Sequence, residues 1–438
     1  MCDDNFGMES KKDNTHKKMI VIINFNTYLG GGETLLVRFS SYLHKTGIPF
    51  HAYCMKDSFI AKQMEIEGVP AEKYTSISKC TDYPYLTTQK RDLLLDEITS
   101  TLPQADKYQY LSFCLRDLYM LMDLNKRCPG SISHLILHNQ DYLYLGRTLT
   151  DGLMSKLTGK RQFNNKKNLD FNRSIIKLVN SNRGLIPMSW IISQLWKKEI
   201  GLDIPEDMIV SLPSFSAKEG ICPKKENNKK IIFIGRLVDF KFASLFAMFN
   251  YIKRTPSYHL TVVGNGDKER ALNYINENGI PSDNIHFVGE VSYSDLPKII
   301  SEHSIGYAAG TSIIECAQQG IPVIMALQYN ANKPFKKDIC GGLFYKTTKG
   351  NLGEDMCIFS EDSIETTIDD SIKEIEDDYS LAAKRCYEYV RNEYSNERNF
   401  EEYLSRINAC QSVDTSSIKV PVANVIRRYL FLKSKKQV

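Results

Sequence analysis

Two cations follow a short apolar run near the middle of the chain. Arg236 and Lys241 come directly after IIFIG, residues 231–235, in the stretch FIGRLVDFK. A guanidinium offers a planar fork of donors and an ammonium offers a compact charge, so the pair suits a diphosphate. Two solvated surface cations would give the same pattern, and the stretch therefore needs support from the rest of the chain.

A second polar group follows the run SIGYAA, residues 304–309. Gly310, Thr311 and Ser312 come first, and Glu315 stands one helical turn later. Backbone amides at a helix start bind phosphate, and a carboxylate can accept from two vicinal hydroxyls of a ribose. Ser312 and Glu315 also fit the S-x-x-E capping box, so a plain helix cap is the alternative interpretation.

A glycine cluster marks the first such turn of the chain. Gly30, Gly31, Gly32 and Glu33 follow the run MIVIINF, residues 19–25. Glycine lets a ligand approach the backbone closely, although a tight turn needs glycine too. The cluster is neither G-x-G-x-x-G nor a P-loop. Taken together, the three loops predict a site for a nucleoside diphosphate that carries a further group.

These loops are positioned by apolar, β-branched runs that alternate with segments of helical periodicity. Such runs are typical of parallel strands covered on both faces. The predicted strands are residues 19–25, 48–54, 110–114, 134–139, 208–215, 231–235, 259–266, 284–289, 304–309 and 321–326. A helix is predicted at 189–201 with Ser189 as its N-cap. The order predicts an α/β protein with two doubly wound domains, which bind ligands at the carboxyl ends of their strands.

Composition limits the class of protein. The chain has 438 residues, 42% hydrophobic and 25% charged, with a net charge of +4, which favours a two-domain globular protein over a disordered one. The 11 cysteines are scattered with no C-x-x-C pair, as expected for reduced thiols in a cytoplasmic protein without a metal site. The N-terminus resembles neither a signal peptide nor an anchor, and no run is long enough to span a membrane.

Charge is unevenly distributed along the chain. Residues 155–183 and 416–438 are rich in lysine and arginine, whereas residues 360–378 are acidic. The basic tail mixes cations with aliphatic and aromatic groups, which suits the surface of an anionic membrane. Ordinary solvated faces explain the same charges, and both interpretations stay open. Nucleic acid is not an expected partner, because the basic segments lack interleaved aromatics in a stacking pattern.

The order of these motifs resembles the family-4 retaining glycosyltransferases of GT-B fold. The resemblance is best over residues 229–330, where IGRLVDFK, LTVVGNGD, NIHFVGEV and GTSIIECAQQGIPVIMA are similar to the family's motifs. In the N-terminal half, GGGE and ILHNQD are similar to a glycine loop and a strand-end histidine of the family. The resemblance implies two Rossmann-like domains facing across a cleft, with a C-terminal helical segment crossing back to the first.

The resemblance also implies roles for single residues. Arg236 and Lys241 would hold the donor diphosphate and stabilise the leaving group, Glu315 would bind the ribose, and His138 would point at the transferred sugar. Because His134 precedes it, a structural strand-end histidine is the alternative for His138. The donor-binding positions are Gly31, Gly32, Gly266, Tyr307, Gly310 and Thr311. No metal or cofactor is expected, since no D-x-D motif serves the diphosphate.

The chain departs from the family at two places. Tyr307 stands where the family has a second glutamate, eight positions before Glu315. That glutamate contacts the sugar of the donor in the family, so the sugar that this chain would transfer stays open. Phe242 follows Lys241 where glycine is usual. The expected organisation is a polar tail (1–18), an acceptor-side domain (19–212), a nucleotide-sugar-binding domain (213–395), and C-terminal helices with a basic tail (396–438).

The expected function is transfer of a sugar, with retention, from a UDP- or GDP-sugar to a hydroxyl of a glycan acceptor. A lipid-linked acceptor and a peripheral location at the inner face of the plasma membrane fit the basic segments, as in O-antigen or capsule assembly. A nucleotide-sugar epimerase on the same fold is one alternative, because it would turn over the donor without an acceptor. A non-catalytic binding member is another, because Tyr307 replaces a glutamate.

Overall fold

The structure of the protein is a computed structural model. The described residues are 18–26, 31–78, 83–137, 166–215, 222–329 and 333–422. By contact density the chain divides into two units. The first comprises 1–134, 145–172 and 410–438, and the second comprises 135–144 and 173–409.

The first sheet has six strands in the order β3-β2-β1-β4-β5-β6. The strands are β1 Lys18–Asn24, β2 Phe50–Met55, β3 Tyr74–Ile77, β4 Lys107–Ser112, β5 Gly130–Ile136 and β6 Leu185–Pro187. β1 pairs in parallel with both β2 and β4. Every residue of β1 after Lys18 is buried, as a strand covered on both faces requires.

Helices follow these strands along the chain. They are α1 Gly31–Lys45, α2 Phe59–Ile66, α3 Thr88–Thr101, α4 Leu115–Arg127, α5 Lys166–Ser181 and α6 Trp190–Ile200. The predicted N-cap of α6 is confirmed, because the Ser189 hydroxyl accepts a hydrogen bond from the Ile192 amide at 3.2 Å. The basic segment predicted at 155–183 includes α5, and its residues 155–165 lie outside the described residues.

The second sheet has five strands in the order β11-β10-β7-β8-β9, all parallel. The strands are β7 Lys230–Ile234, β8 His259–Val263, β9 Ile285–Gly289, β10 Ile305–Ala308 and β11 Val323–Met325. The helices are α7 Asp239–Arg254, α8 Lys268–Glu277, α9 Leu296–Ser301, α10 Ser312–Ala317, α11 Ile368–Asp377, α12 Tyr379–Glu393 and α13 Asn396–Ala409. The predicted second α/β unit is therefore confirmed.

The strand predicted at 208–215 is wrong. Residues 209–214 are in no strand, and Phe215 makes only an isolated bridge to Ser395. Most apolar residues of this run are buried all the same, and Leu212 is partly buried. Its backbone groups find individual partners instead of a strand ladder, for example in the bond from the Val210 amide to the Pro187 carbonyl at 3.0 Å. The expected boundary at 212/213 falls between the two sheets and stays a prediction.

The described part of the tail belongs to the first unit. The Arg91 guanidinium, itself buried, donates to the carbonyls of Val420 and Pro421 at 3.2 and 2.7 Å. The Asn125 amide donates to the Val413 carbonyl at 2.7 Å. Residues 410–422 are therefore structural, and only 423–438 of the basic tail lie outside the described residues. Within the described chain no helix is both long and apolar enough to cross a membrane.

Candidate functional site

The loop after β7 carries the first predicted cation. Arg236 stands two residues beyond the strand and is exposed. The loop is bound to the loop after β8, because the Leu237 amide donates to the Asn265 carbonyl at 2.7 Å and the Asp267 amide donates to the Leu237 carbonyl at 3.0 Å. Backbone pairing of this kind fixes where the Arg236 side chain leaves the loop.

Lys241 lies in the first turn of α7, two residues after the helix begins at Asp239. Its ammonium is 3.5 Å from the Ala309 carbonyl, just beyond the end of β10. The side chain also lies against Gly235, so closely that a Cβ added there would be 2.4 Å from the Lys241 nitrogen. Lys241 therefore occupies the carboxyl edge of the sheet, between the ends of β7 and β10.

Within the described part of the chain the ammonium of Lys241 has no carboxylate partner, since Asp239 in the same turn pairs with Arg270. Burial, assisted by the nearby Arg236, lowers the pKa of the Lys241 ammonium to about 8. Among the described residues, no carboxylate forms an ion pair with either cation. A helix N-terminus gives no support to a cation, since its free amides favour negative charge. The two cations and the start of α7 therefore form a positively charged position, and a bound anion would stabilise the charged form of Lys241 there.

Gly266, expected to bind the donor, has a structural reason to be glycine. Its φ is +137°, and an added Cβ would be 2.2 Å from the Leu237 carbonyl oxygen. Gly264 has the same φ and would meet the Gly235 oxygen at the same distance. These glycines allow the loop after β8 to approach the loop that carries Arg236, here called the cation loop (residues 235–238). Gly266 therefore packs against the cation loop.

The loop after β10 differs in part from the expectation. Gly310 has a φ of +73° with open space where a Cβ would lie, but its amide donates to the Leu352 carbonyl at 2.8 Å. The expected bond from the Gly310 amide to a phosphate is therefore wrong in this conformation. Thr311 is exposed at the N-cap of α10, where the helix itself offers its amide no carbonyl.

Glu315 is not a capping residue. Its carboxylate accepts hydrogen bonds from the Tyr293 hydroxyl and from the Gln318 side-chain amide. Tyr293 follows β9 and is 67% exposed, so an aromatic ring stands in solvent beside the carboxylate. The sequence reasoning missed Tyr293, although its place just after a strand is the signal that found the other residues.

Tyr307 is a core residue, contrary to its expected place in the donor site. It lies inside β10, is 0% exposed, and donates its hydroxyl to the Ser244 carbonyl at 3.1 Å. A fully buried side chain is out of reach of a sugar in the donor site. Tyr307 instead ties β10 to α7, one turn beyond Lys241.

The remaining predicted residues belong to other parts of the chain. Gly31 and Gly32 are the first residues of α1 in the first unit, Gly31 exposed and Gly32 buried. The Glu33 carboxylate next to them accepts from the Asn26 side chain at 2.7 Å. His138 lies outside the described residues, so its role stays a prediction.

The second unit thus brings together Arg236, Lys241 and the loop at Gly310, with Glu315 on the helix that follows. The cations suit the phosphates of a nucleoside diphosphate. The Glu315 carboxylate, already a hydrogen-bond acceptor, suits the hydroxyls of its ribose. Within the described residues, His, Cys, Asp and Glu form no group that could hold a metal ion.

Comparison with known proteins finds a similarity to one family in the second unit of the chain. Residues 215–373 match the family described as glycosyl transferases group 1. Over 190 residues the chain is 26% identical to the O-antigen biosynthesis glycosyltransferase WbnH of Escherichia coli and to the probable O-antigen biosynthesis glycosyltransferase WbiN of the same species. These matches cover 41% of this chain and 53% of each relative, so the chain spans about half the length of the curated relatives it matches.

Solved structures resemble nearly the whole chain. Anabaena Alr3699/HepE in complex with UDP and glucose aligns with a TM-score of 0.52 at 14% identity, covering 90% of this chain and 99% of that one. The lipopolysaccharide outer core galactosyltransferase WaaB, in its apo form, aligns with a TM-score of 0.55 at 13% identity, with the same coverage. At such identities the likeness shows the fold. The chain therefore has the GT-B fold predicted from its motifs, and its residues 215–373 are similar to the glycosyl transferases group 1 family.

Proposed function

We propose that this protein is a retaining glycosyltransferase that uses a UDP- or GDP-sugar. The observation that carries the proposal is the partly buried Lys241 beside Arg236, two cations at a sheet edge with no ion pair to a described carboxylate. A diphosphate would pair with both and would stabilise the charged form of Lys241. The same contacts would strengthen as negative charge develops on the leaving diphosphate.

The other expected residues complete the proposal. Glu315 would accept hydrogen bonds from the ribose, and His138 would contact the transferred sugar. Gly31 and Gly32 would approach the diphosphate or the acceptor. In a front-face route the leaving diphosphate helps to deprotonate the acceptor hydroxyl, so no nucleophile of the protein is required.

The comparisons support a role in assembling surface polysaccharide. One relative is described as an O-antigen glycosyltransferase and another as a probable one, and one neighbour was solved with UDP-glucose. These descriptions favour a uridine donor and a glycan acceptor for this chain. A lipid-linked acceptor would bring the protein to a membrane, and the basic segments at 155–183 and 416–438 would be the surfaces that meet it.

The proposal is tested by turnover. The full chain is incubated with UDP- and GDP-sugars, with and without a lipid-linked glycan acceptor, and release of nucleoside diphosphate is measured. We expect release that depends on the acceptor, an α- or β-linkage that matches the donor, and loss of release in Lys241→Met. Epimerised donor without acceptor would show the epimerase instead, and binding without any turnover would show the non-catalytic member.

The membrane proposal has a separate test. A chain ending at Val422 keeps the segment that packs on the first unit and removes only 423–438. We expect it to bind the donor nucleotide like the full chain and to bind less to vesicles containing phosphatidylglycerol. Equal binding to these vesicles by both chains would exclude residues 423–438 as the docking surface.

A further inference from the structure

The first turn of α7 is held by an aromatic stack. Phe242, the residue that replaces the family's usual glycine, is 1% exposed and lies next to Lys241. Its ring centroid is 5.5 Å from that of Phe246, and the Phe246 centroid is 3.9 Å from that of Tyr274 on α8 with the rings nearly parallel. The start of α7 is thereby anchored to α8.

One side chain of α8 contacts the residues on both sides of Lys241. The Arg270 guanidinium carbon is 4.4 Å from the centre of the Phe242 ring, in a cation–π contact. An Nη of the same guanidinium donates to the Asp239 carboxylate at 2.8 Å. Arg270 thus clamps the turn two residues before Lys241 and one residue after it.

The same region is fixed on its other sides as well. The Arg270 amide donates to the Asp267 carboxylate at 3.0 Å, and Asp267 is itself hydrogen-bonded to the cation loop through Leu237. Across the helix, the Tyr307 hydroxyl holds the Ser244 carbonyl. Lys241 has no described ion pair of its own, so the place of its ammonium depends on how firmly this turn is held.

We propose that Arg270 is a positioning residue for Lys241, holding the first turn of α7 so that the ammonium meets the diphosphate of the donor. This inference rests on the proposed function, in which Lys241 binds that diphosphate. This role also explains Phe242 at a position where the family has glycine, because its ring forms the cation–π contact with Arg270.

A direct effect of charge is the competing explanation, and two variants separate the explanations. Removing a cation (Arg270→Gln) and removing a nearby anion (Asp239→Asn) would change anion affinity in opposite directions by charge alone. Both changes break the same clamp, so a positioning role predicts that both weaken binding. Since the Asp239 side chain is 69% exposed, a moderate effect of ~3- to 10-fold is expected for each.

The experiment is calorimetric titration of the folded full chain with UDP and, separately, with GDP. For the nucleotide that binds, we expect Arg270→Gln and Asp239→Asn both to lower affinity, with no further loss in the double variant. Arg270→Lys keeps the charge but loses the planar contact, so we expect its affinity to lie between those of Arg270→Gln and the wild type. Arg254→Gln is the control, because Arg254 pairs with Asp338 and Asp369 at the far end of the same helix.

A pH series adds a measurement that a merely structural role would not change. Arg236 lowers the pKa of the Lys241 ammonium, and the paired Asp239 and Arg270 are the other charged groups at this turn. In Asp239→Asn, charge alone would lower the pKa of Lys241, whereas a loosened turn would let water reach the ammonium and raise it. We therefore expect nucleotide binding by Asp239→Asn to persist to higher pH than in the wild type.

The outcomes are distinct. Opposite changes in Arg270→Gln and Asp239→Asn, full affinity in Arg270→Lys, or an equal loss in Arg254→Gln would overturn the positioning role and leave the proposed function standing. Binding of neither nucleotide to the wild type would overturn both.

Discussion

At the scale of the residue, Lys241 is the group on which the proposed chemistry depends most. It combines burial, a neighbouring cation and no described counter-charge. Its ammonium is still mostly protonated at neutral pH, because its pKa is lowered only to about 8. The Lys241 ammonium is therefore charged but unpaired within the described residues, and we expect a bound ligand to stabilise it.

Replacement of Lys241 by methionine should weaken nucleoside diphosphate binding by ~10- to 100-fold, the value of a charge-assisted hydrogen bond. In the wild type the affinity should fall as pH rises through about 8, since the lysine then loses its proton. The variant should lack this fall. Lys253→Met, at the exposed end of the same helix, is the control, and calorimetry across this pH range is the measurement. A pH dependence shared by wild type and Lys241→Met would assign the titration to another group.

Glu315 gives a second prediction at this scale. If its carboxylate accepts from the ribose, the wild type should bind the 2′-deoxy form of its nucleotide diphosphate less tightly, by ~3- to 20-fold. Glu315→Gln should bind the ribo and deoxy forms more nearly alike. The measurement is competition between the two nucleotides. An unchanged preference in the variant would remove Glu315 from the ribose site.

Residue identities alone showed where the polar groups gather but not how each is used. Arg236 and Glu315 were found because parallel strands bring their carboxyl ends to one edge. The burial of Tyr307 and the bond from the Gly310 amide to Leu352 depend on partners distant in sequence, which no local pattern indicates. Gly266 packs against the Leu237 carbonyl, and its contact with the donor stays a prediction.

At the scale of the element, the loop at 347–355 is fastened to the start of α6. The Trp190 amide donates to the Lys349 carbonyl at 2.9 Å, and the Ser189 hydroxyl donates to the Glu354 carboxylate at 3.3 Å. Glu354 is 8% exposed, and burial, with a contribution from Asp355, raises its pKa to about 7. The N-cap residue of α6, Ser189, is thus hydrogen-bonded to the Glu354 carboxyl group, whose pKa is about 7.

This carboxyl group should make the stability of the second unit depend on pH. Because the folded pKa lies above the unfolded value, Glu354 favours the folded state fully at acidic pH, and the advantage is lost as pH rises to about 7. Glu354→Gln should remove that loss, worth up to ~3 kcal/mol at ~1.4 kcal/mol per pH unit. Melting temperatures at mildly acidic and mildly alkaline pH measure the difference, with exposed Glu365→Gln as control. Wild type and Glu354→Gln falling in parallel would contradict this account.

Elements were predictable where periodicity and packing agree. The strands of the second sheet and the N-cap at Ser189 follow from local sequence. The run at 208–215 has the composition of a strand, but it makes only single backbone contacts and an isolated bridge, so it is packed without a continuous strand ladder. Tyr74–Ile77 and Leu185–Pro187 were missed, being short edge strands whose place is set by the sheet.

At the scale of the whole molecule, the described tail completes the first unit. Arg91, Asn125 and the Gly130 carbonyl all bind residues 413–421. A chain ending at Ala409 should therefore melt well below one ending at Val422, because the buried Arg91 and Asn125 would lose their partners. Differential scanning calorimetry of the two chains measures this. Equal melting temperatures would mean that these contacts add nothing to the fold.

The central claim is that Arg236 and Lys241 bind the diphosphate of a nucleotide sugar. The most direct measurement is a thermal-shift series of the full chain with UDP, GDP and ADP, with Arg236→Ala alongside. A nucleotide at about a hundred times its dissociation constant should stabilise the wild type by ~2.7 kcal/mol. We predict that UDP or GDP raises the melting temperature of the wild type and does so far less in Arg236→Ala. No shift with any nucleotide, or the same shift in both proteins, would contradict the claim.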